Sequence, residues 1–432
     1  VVVSDTNDLP SRLVLAHERY TAARPLSAEL HERAAAVLPN GSTRSVLDMA
    51  PFPFRVASAT GARLTDVDGH EYIDFLGDFT AGLLGHDPGP VAAAVTAALQ
   101  RGWSLGATHV DEVRLAELVC DRFPSIEQVR FTNSGTEANL MSIQLARHCT
   151  GRSAVIAFDG GYHGGLLYFG VGGEALRAPF DYRMATYNDL DSVRAAFALG
   201  PDAVACLVVE PMMGSGGCIP AEPGFLAGLR ALCDEHGALL IFDEVMTSRM
   251  SAGGAQQRLG VLPDITALGK YLAGGMTFGA FGGRADLMAA FDPHRGGTLT
   301  HGGTFNNNVV TMAGGVAALG EVLTPAALDA LFGRGERMRA RLAEILAGSG
   351  LPMSVSGWGS MMTVHAVAEP PRTPADLVHG DAALKELFVH EMIDRGIYLA
   401  ARGFIALSLA ITDADIEAFL SAASESSAAL TA

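Results

Sequence analysis

Lysine is almost missing from this chain. Of its 30 basic residues only Lys270 and Lys385 are lysines, and the rest are arginines. Any chemistry that needs a lysine amine therefore has two candidates. Clusters of positive charge are missing as well. With 47 acidic residues and a net charge of −17, the chain offers no basic face for nucleic acid and no basic amphipathic stretch for anionic lipid. No apolar run reaches the roughly 18 residues of a membrane-spanning helix. The five cysteines, Cys120, Cys149, Cys206, Cys218 and Cys233, form no CxxC pair, as expected of buried thiols in a reducing compartment. Val1-Val2-Val3-Ser4-Asp5 has neither a basic n-region nor a long apolar stretch, so the expected compartment is the cytoplasm. No HExxH, spaced Cys/His set, Walker loop or GxSxG elbow occurs, which argues against a metal site, an ATPase and a serine hydrolase.

What is present is apolar residue in quantity. At 49% hydrophobic over 432 residues, the composition is globular and excludes disorder as the main state. An amphipathic helix is expected over 27–38, closed by the turn Pro39-Asn40-Gly41-Ser42. A strand from Gly61 runs into an Asp68-Gly69 hairpin turn. Helices are read at 90–101, 111–123, 135–148 and 222–236, and strands at 129–132, 154–158, 203–210 and 238–243. Near-continuous apolar strands alternating with helices predict a mainly parallel sheet covered on both faces. From 325 the pattern is helical again, at 325–347, 380–395 and 412–429. The expected organisation is α/β: a large domain over 61–324, and a smaller α+β domain built from 1–60 and 325–432.

Four segments carry chemistry. In Thr132-Asn133-Ser134-Gly135-Thr136-Glu137 a strand ends and a helix begins, so free N–H groups and two hydroxyls form a phosphate cradle. An ordinary Ser/Thr cap would use the same residues. Asp243 ends an apolar strand, where the ligand crevice of an open α/β sheet lies, and a carboxylate there can hold a protonated pyridine nitrogen. A salt-bridged acid is the plainer alternative. Lys270 lies between Gly269 and Gly274 in apolar surroundings, where partial desolvation would suit its amine to Schiff-base chemistry. Lys385 sits among Glu386 and Glu391 and reads as a solvated helix face. Gly161-Tyr162-His163-Gly164 follows a strand and places an aromatic ring where it could stack on a planar cofactor.

The order and spacing of these segments resemble the class III aminotransferases, enzymes of fold type I (aspartate aminotransferase-like) that use pyridoxal 5′-phosphate. The resemblance runs from about Gly41 to the C-terminal helix. Asn133–Ala138 and Leu240–Thr247 are similar to glutamate-1-semialdehyde aminomutases. Gly303-Thr304-Phe305-Asn306-Asn307-Asn308-Val309 departs from the Gly-Thr-Leu-Ser-Gly-Asn-Pro of that group. With the Gly41-Ser42-Thr43-Arg44 and Arg402-Gly403-Phe404 segments, it resembles the β-phenylalanine aminotransferases instead.

The resemblance implies roles. Lys270 would attach the cofactor and move the proton, and Asp243 would pair with the pyridine nitrogen. Tyr162 and Val245 would cover the two ring faces, with His163, Glu210 and Met246 near the ring. Ser134, Gly135 and Thr136 would hold the phosphate. Thr304 would reach the phosphate of a neighbouring subunit, which implies a homodimer. Arg44 and Arg402 are candidates for the carboxylates of an amino acid and a keto acid, because guanidinium binds carboxylate bidentately; structural ion pairs are the alternative for both. Phe79 stands where tyrosine is common in the β-phenylalanine group, and loss of that hydroxyl bears on side-chain preference. The implied reaction moves the amine of an aromatic β-amino acid to 2-oxoglutarate or pyruvate in two half-reactions. An aminomutase, which shifts the amine within one molecule, is the runner-up, ahead of a silent binding protein or a decarboxylase on the same fold.

Overall fold

The computed structural model describes residues 9–431. Contacts divide the chain into two units. One runs from Pro88 to Phe332 and adds Arg372–Ala375. The other collects the described residues up to Asp87, Gly333–Pro371 and those from Asp376 onward.

The Pro88–Phe332 unit is built on seven strands: β1 Gln128–Thr132, β2 Ala154–Phe158, β3 Asp181–Ala185, β4 Val204–Val209, β5 Leu239–Asp243, β6 Ile265–Gly269 and β7 Gly279–Gly283. Their order across the sheet is β1-β7-β6-β5-β4-β2-β3. All neighbours are parallel except β7, which runs antiparallel to β1 and β6. Alternate residues along each strand enter opposite cores. Ile156, Leu207, Val209, Leu240 and Phe242 pack with helices Leu190–Ala198 and Phe225–His236. Val155, Ala157, Val208, Ile241 and Ile265 pack with helix Gly135–Thr150. Two covered faces explain why β4 is apolar at every position and fully buried. Each of Val204, Leu207, Val208 and Val209 contributes about 1.5–3 kcal/mol by leaving water.

In the second unit, Arg63–Asp66 and Glu71–Asp74 form the expected hairpin. Glu71–Asp74 also pairs in parallel with Ile397-Tyr398 from the far end of the chain. That pairing groups residues 61–87 with the chain ends, whereas the sequence pattern places 61 at the start of the large domain. A second sheet joins Ser354–Trp358, Met361–His365 and Phe404–Ala406, all antiparallel. Helices Leu9–Ala23, Pro25–Ala35, Ala382–Asp394 and Asp413–Thr431 belong to this unit, as does helix Pro325–Gly348 from Gly333 onward. Among the described residues no single helix is long and apolar enough to cross a membrane.

Candidate active site

The start of helix Gly135–Thr150 is organised by its own residues. Ser134 is the extended N-cap, and its Oγ accepts from Glu137 N at 3.2 Å. Glu137 reaches back to accept from Asn133 N at 2.8 Å. This reciprocal pair resembles a capping box displaced by one residue, so the capping alternative for Ser134 is realised. Of the early helical N–H groups, that of Glu137 goes to Ser134 Oγ. Those of Gly135 and Thr136 have no acceptor within the helix and can serve an anion.

Close packing brings other loops to this point. A Cβ on Gly135 would lie 2.8 Å from Val245 Cγ2. A Cβ on Gly164 would lie 2.1 Å from Thr136 Oγ1, and Gly164 has φ +117°. Thr136 Oγ1 accepts from Gly165 N at 3.3 Å. The Tyr162-His163 loop is therefore fastened to the helix start by contacts that only glycine permits.

Asp243 ends β5 and is 5% exposed. Its Oδ2 accepts from His163 Nδ1 at 2.8 Å and from Asn139 Nδ2 at 2.9 Å, and its Oδ1 accepts from Val245 N at 3.0 Å. A carboxylate offers about four acceptor positions, so Oδ1 keeps capacity for one more donor. Burial by itself would push the His163 pKa down. The hydrogen bond donated to Asp243 and the negative charges of Asp243 and Glu210 outweigh it, and the pKa is raised. Asn139 is the residue sequence reasoning missed. Its position one helical turn beyond Gly135, on a buried face, is the signal that could have found it. Its amide also reaches the carbonyl oxygens of Gly135 and His163.

Glu210, buried after β4, accepts from Tyr162 N at 3.0 Å and from Gly214 N at 2.9 Å. Burial pushes its pKa up, and the negative charge of Asp243 adds to this against the opposing pull of His163. Glu210 thus fixes the backbone of the Tyr162 loop. Tyr162 itself is 42% exposed, with its ring edge-on to Tyr168 at 5.5 Å. Met246 packs at Gly214, where a Cβ would lie 2.3 Å from its sulfur. Val245 also approaches Gly269, the last residue of β6.

Lys270 follows directly. It is half-buried and opens the short turn Lys270–Ala273 with φ +58°. A left-handed lysine is uncommon and strained, a condition that concentrates at functional sites. Because β5 and β6 are parallel with Asp243 opposite Ala267, Asp243 and Lys270 emerge at the carboxyl ends of adjacent strands. These residues fit a phosphorylated pyridine: paired N–H donors at a helix start, a buried carboxylate with acceptor capacity, a half-exposed aromatic ring and a lysine.

Thr304 lies in an exposed loop. Two residues on, Asn306 Oδ1 accepts from Asn133 Nδ2 at 2.9 Å, which ties that loop to the segment preceding the helix.

The other unit gathers Arg44, Phe79 and Arg402. Arg44 Nη1 donates to Asp78 Oδ1 at 2.6 Å, with both side chains about half-exposed, so the pair contributes little to stability. The Arg44 and Arg402 guanidinium carbons lie 5.6 and 5.3 Å from the Phe79 ring centroid. Phe79 is stacked on Phe404, and Asp78, Phe79 and Thr80 all have positive φ. The structure corrects one expectation. Lys385 is half-buried rather than solvated, and burial together with the Arg402 charge lowers its pKa.

The aminotransferase class-III family model matches residues 47–426. A beta-phenylalanine transaminase of Variovorax paradoxus is 48% identical over 407 residues, 94% of each chain. A glutamate-1-semialdehyde 2,1-aminomutase of Nitratidesulfovibrio vulgaris is 43% identical over 417 residues, covering 92% of this chain and 97% of its own. The crystal structure of a beta-phenylalanine aminotransferase from V. paradoxus superposes with a TM-score of 0.94 at 47% identity, covering 96% of this chain and 97% of that one. A family match over most of the length, on a sheet whose strand ends carry a fitting set of residues, makes this chain a class III aminotransferase that uses pyridoxal 5′-phosphate.

Proposed function

We propose that the enzyme moves the amino group of an aromatic β-amino acid of the β-phenylalanine type to an α-keto acid, 2-oxoglutarate or pyruvate, in two successive half-reactions. The observation that carries this reading is the 48% identity, over 94% of both chains, to a beta-phenylalanine transaminase. When bound, pyridoxal phosphate supplies an electron sink that acidifies the C–H bond beside the amine. The chain's residues do the rest. Lys270 holds the cofactor through its amine, then takes the proton from the amine-bearing carbon at Nζ and delivers it again. Asp243 would pair with the pyridine nitrogen, kept in place by His163, Asn139 and Val245 N. Ser134, Gly135 and Thr136 bind the phosphate, Tyr162 and Val245 confine the ring, and Glu210 and Met246 support that loop.

Arg44 and Arg402 serve the carboxylates of the two substrates. Phe79, held against both guanidinium groups, presents a ring without a hydroxyl. Thr304 serves the phosphate of a second copy, so the working unit is a homodimer; the exposure of its loop supports this. The five cysteines are all free thiols, which supports a cytoplasmic setting.

The deciding experiment is a single half-reaction. Racemic β-phenylalanine added without keto acid should bleach the visible band of the bound cofactor. A keto acid should then restore it. If the band persists with β-phenylalanine but bleaches with glutamate-1-semialdehyde, the aminomutase reading replaces this one. Arg44→Ala should raise KM for the β-amino acid about tenfold or more, the loss of a charge-assisted hydrogen bond, while cofactor retention stays unchanged. An unaltered KM would return Arg44 to its pairing with Asp78.

A further inference from the structure

Helix Leu9–Ala23 packs on helix Ala382–Asp394, and Arg19 pairs with Glu391 at 3.1 Å and Asp394 at 3.4 Å. The same contact holds a cluster that the aminotransferase chemistry does not use. His17 Nε2 donates to Glu386 Oε1 at 2.7 Å. His390 follows Glu386 by one helical turn, on the same face. One ligand atom from each of the three lies within 4.8 Å of the others. His390 is 1% exposed, and neither ring nitrogen makes a well-formed hydrogen bond, although the Ala50 backbone lies close enough to act on the ring. The His17 and Tyr20 rings meet it edge-on at 5.1 and 5.4 Å. A buried imidazole whose ring nitrogens lack well-formed hydrogen bonds is unfavourable unless something fills one of those positions, and an ion or a water does so most directly.

We propose that His17, Glu386 and His390 form a binding site for one divalent transition ion of the zinc type. Two imidazoles and a carboxylate suit zinc and its neighbours rather than magnesium or calcium. Ligands at about 2.0–2.2 Å from a tetrahedral ion lie about 3.4 Å apart, so the cluster closes onto an ion through small side-chain rotations. His17 and Glu386 are 26% and 33% exposed, which gives the ion an entry and leaves room for a water as fourth ligand. Bound there, the ion cross-links two helices whose ligands are 369 residues apart in sequence, and it stabilises the fold by mass action.

The test uses the holoenzyme, stripped of adventitious metal with a chelator and titrated with zinc chloride by calorimetry. Saturable binding of one ion per chain is expected, with a rise in the unfolding temperature. His17→Gln and Glu386→Gln occupy partly exposed positions and should each weaken binding at least about tenfold. They should also abolish the thermal gain while leaving the cofactor spectrum and the transaminase rate unchanged. Copper(II) in place of zinc gives a readout independent of stability. Nitrogen couplings in the electron paramagnetic resonance spectrum should report two imidazoles in the parent and one in His17→Gln. The proposal is overturned if the parent shows no saturable binding. It is also overturned if the variants bind zinc as the parent does, or if the two-nitrogen pattern survives in His17→Gln.

Discussion

Lys270→Ala should lose turnover altogether while the protein stays folded. Proton transfer by a positioned group supplies about 10²–10⁴-fold, and the covalent hold on the cofactor disappears with the same amine. In most enzymes a neighbouring lysine could blur such a result. Here the chain has one other, Lys385, which is half-buried beside Arg402 in the unit that does not contain Lys270. The variant should show no visible band of covalently held cofactor. Borohydride treatment of the parent, followed by peptide mass mapping, should place the added mass on the peptide containing Lys270. A band that survives in Lys270→Ala, or a label on Lys385, would remove Lys270 from the role proposed for it.

The elements that could be read in the sequence are those whose side chains report their own surroundings. β2, β4 and β5 are apolar runs because both of their faces are covered, and the helices between them carry apolar stripes. Lys270 stood out because lysine is so rare. β7 was illegible for the opposite reason. Its sequence, Gly279-Ala280-Phe281-Gly282-Gly283, has the composition of a loop. The glycines are there because a Cβ at Gly279 would lie 2.2 Å from Ser134 O, and one at Gly283 2.3 Å from Asp264 O. That requirement comes from backbone brought close by the fold, and no local pattern encodes it. Asn139 escaped for a related reason, since its partners Asp243 and His163 lie 104 and 24 residues away. The helix Leu9–Ala23 was passed over because the first 60 residues show mixed periodicity, and its partner helix is near the other end of the chain. The cluster of His17 with Glu386 and His390 went unseen with it, so an expectation of no metal site rested on motifs confined to short windows.

Asp243→Asn separates charge from shape at the second residue of the proposed machinery. Asparagine has the outline of aspartate but one acceptor oxygen instead of two. In the parent, Oδ2 takes two donors, His163 Nδ1 and Asn139 Nδ2, and Oδ1 takes the Val245 N–H. Either orientation of the new amide turns an N–H group toward a donor, at a cost of about 1–3 kcal/mol. Turnover should fall by about two to three orders of magnitude, as when one preorganised electrostatic partner of a reacting group is removed. The pH dependence supplies an independent check. In the parent the His163 pKa is raised in the folded state above its ordinary value of 6.5. Its interaction with Asp243 therefore stabilises the fold fully below that ordinary value, and the contribution is lost as pH climbs through the raised one. The unfolding temperature of Asp243→Asn should fall furthest below that of the parent at pH values below the ordinary histidine value of 6.5, and the gap should narrow as pH climbs above it. A gap that widened with pH would mean that His163 is neutral beside Asp243 and donates to it from an uncharged ring. A rate within a few-fold of the parent would mean that the acceptor capacity left on Oδ1 is not what the cofactor uses.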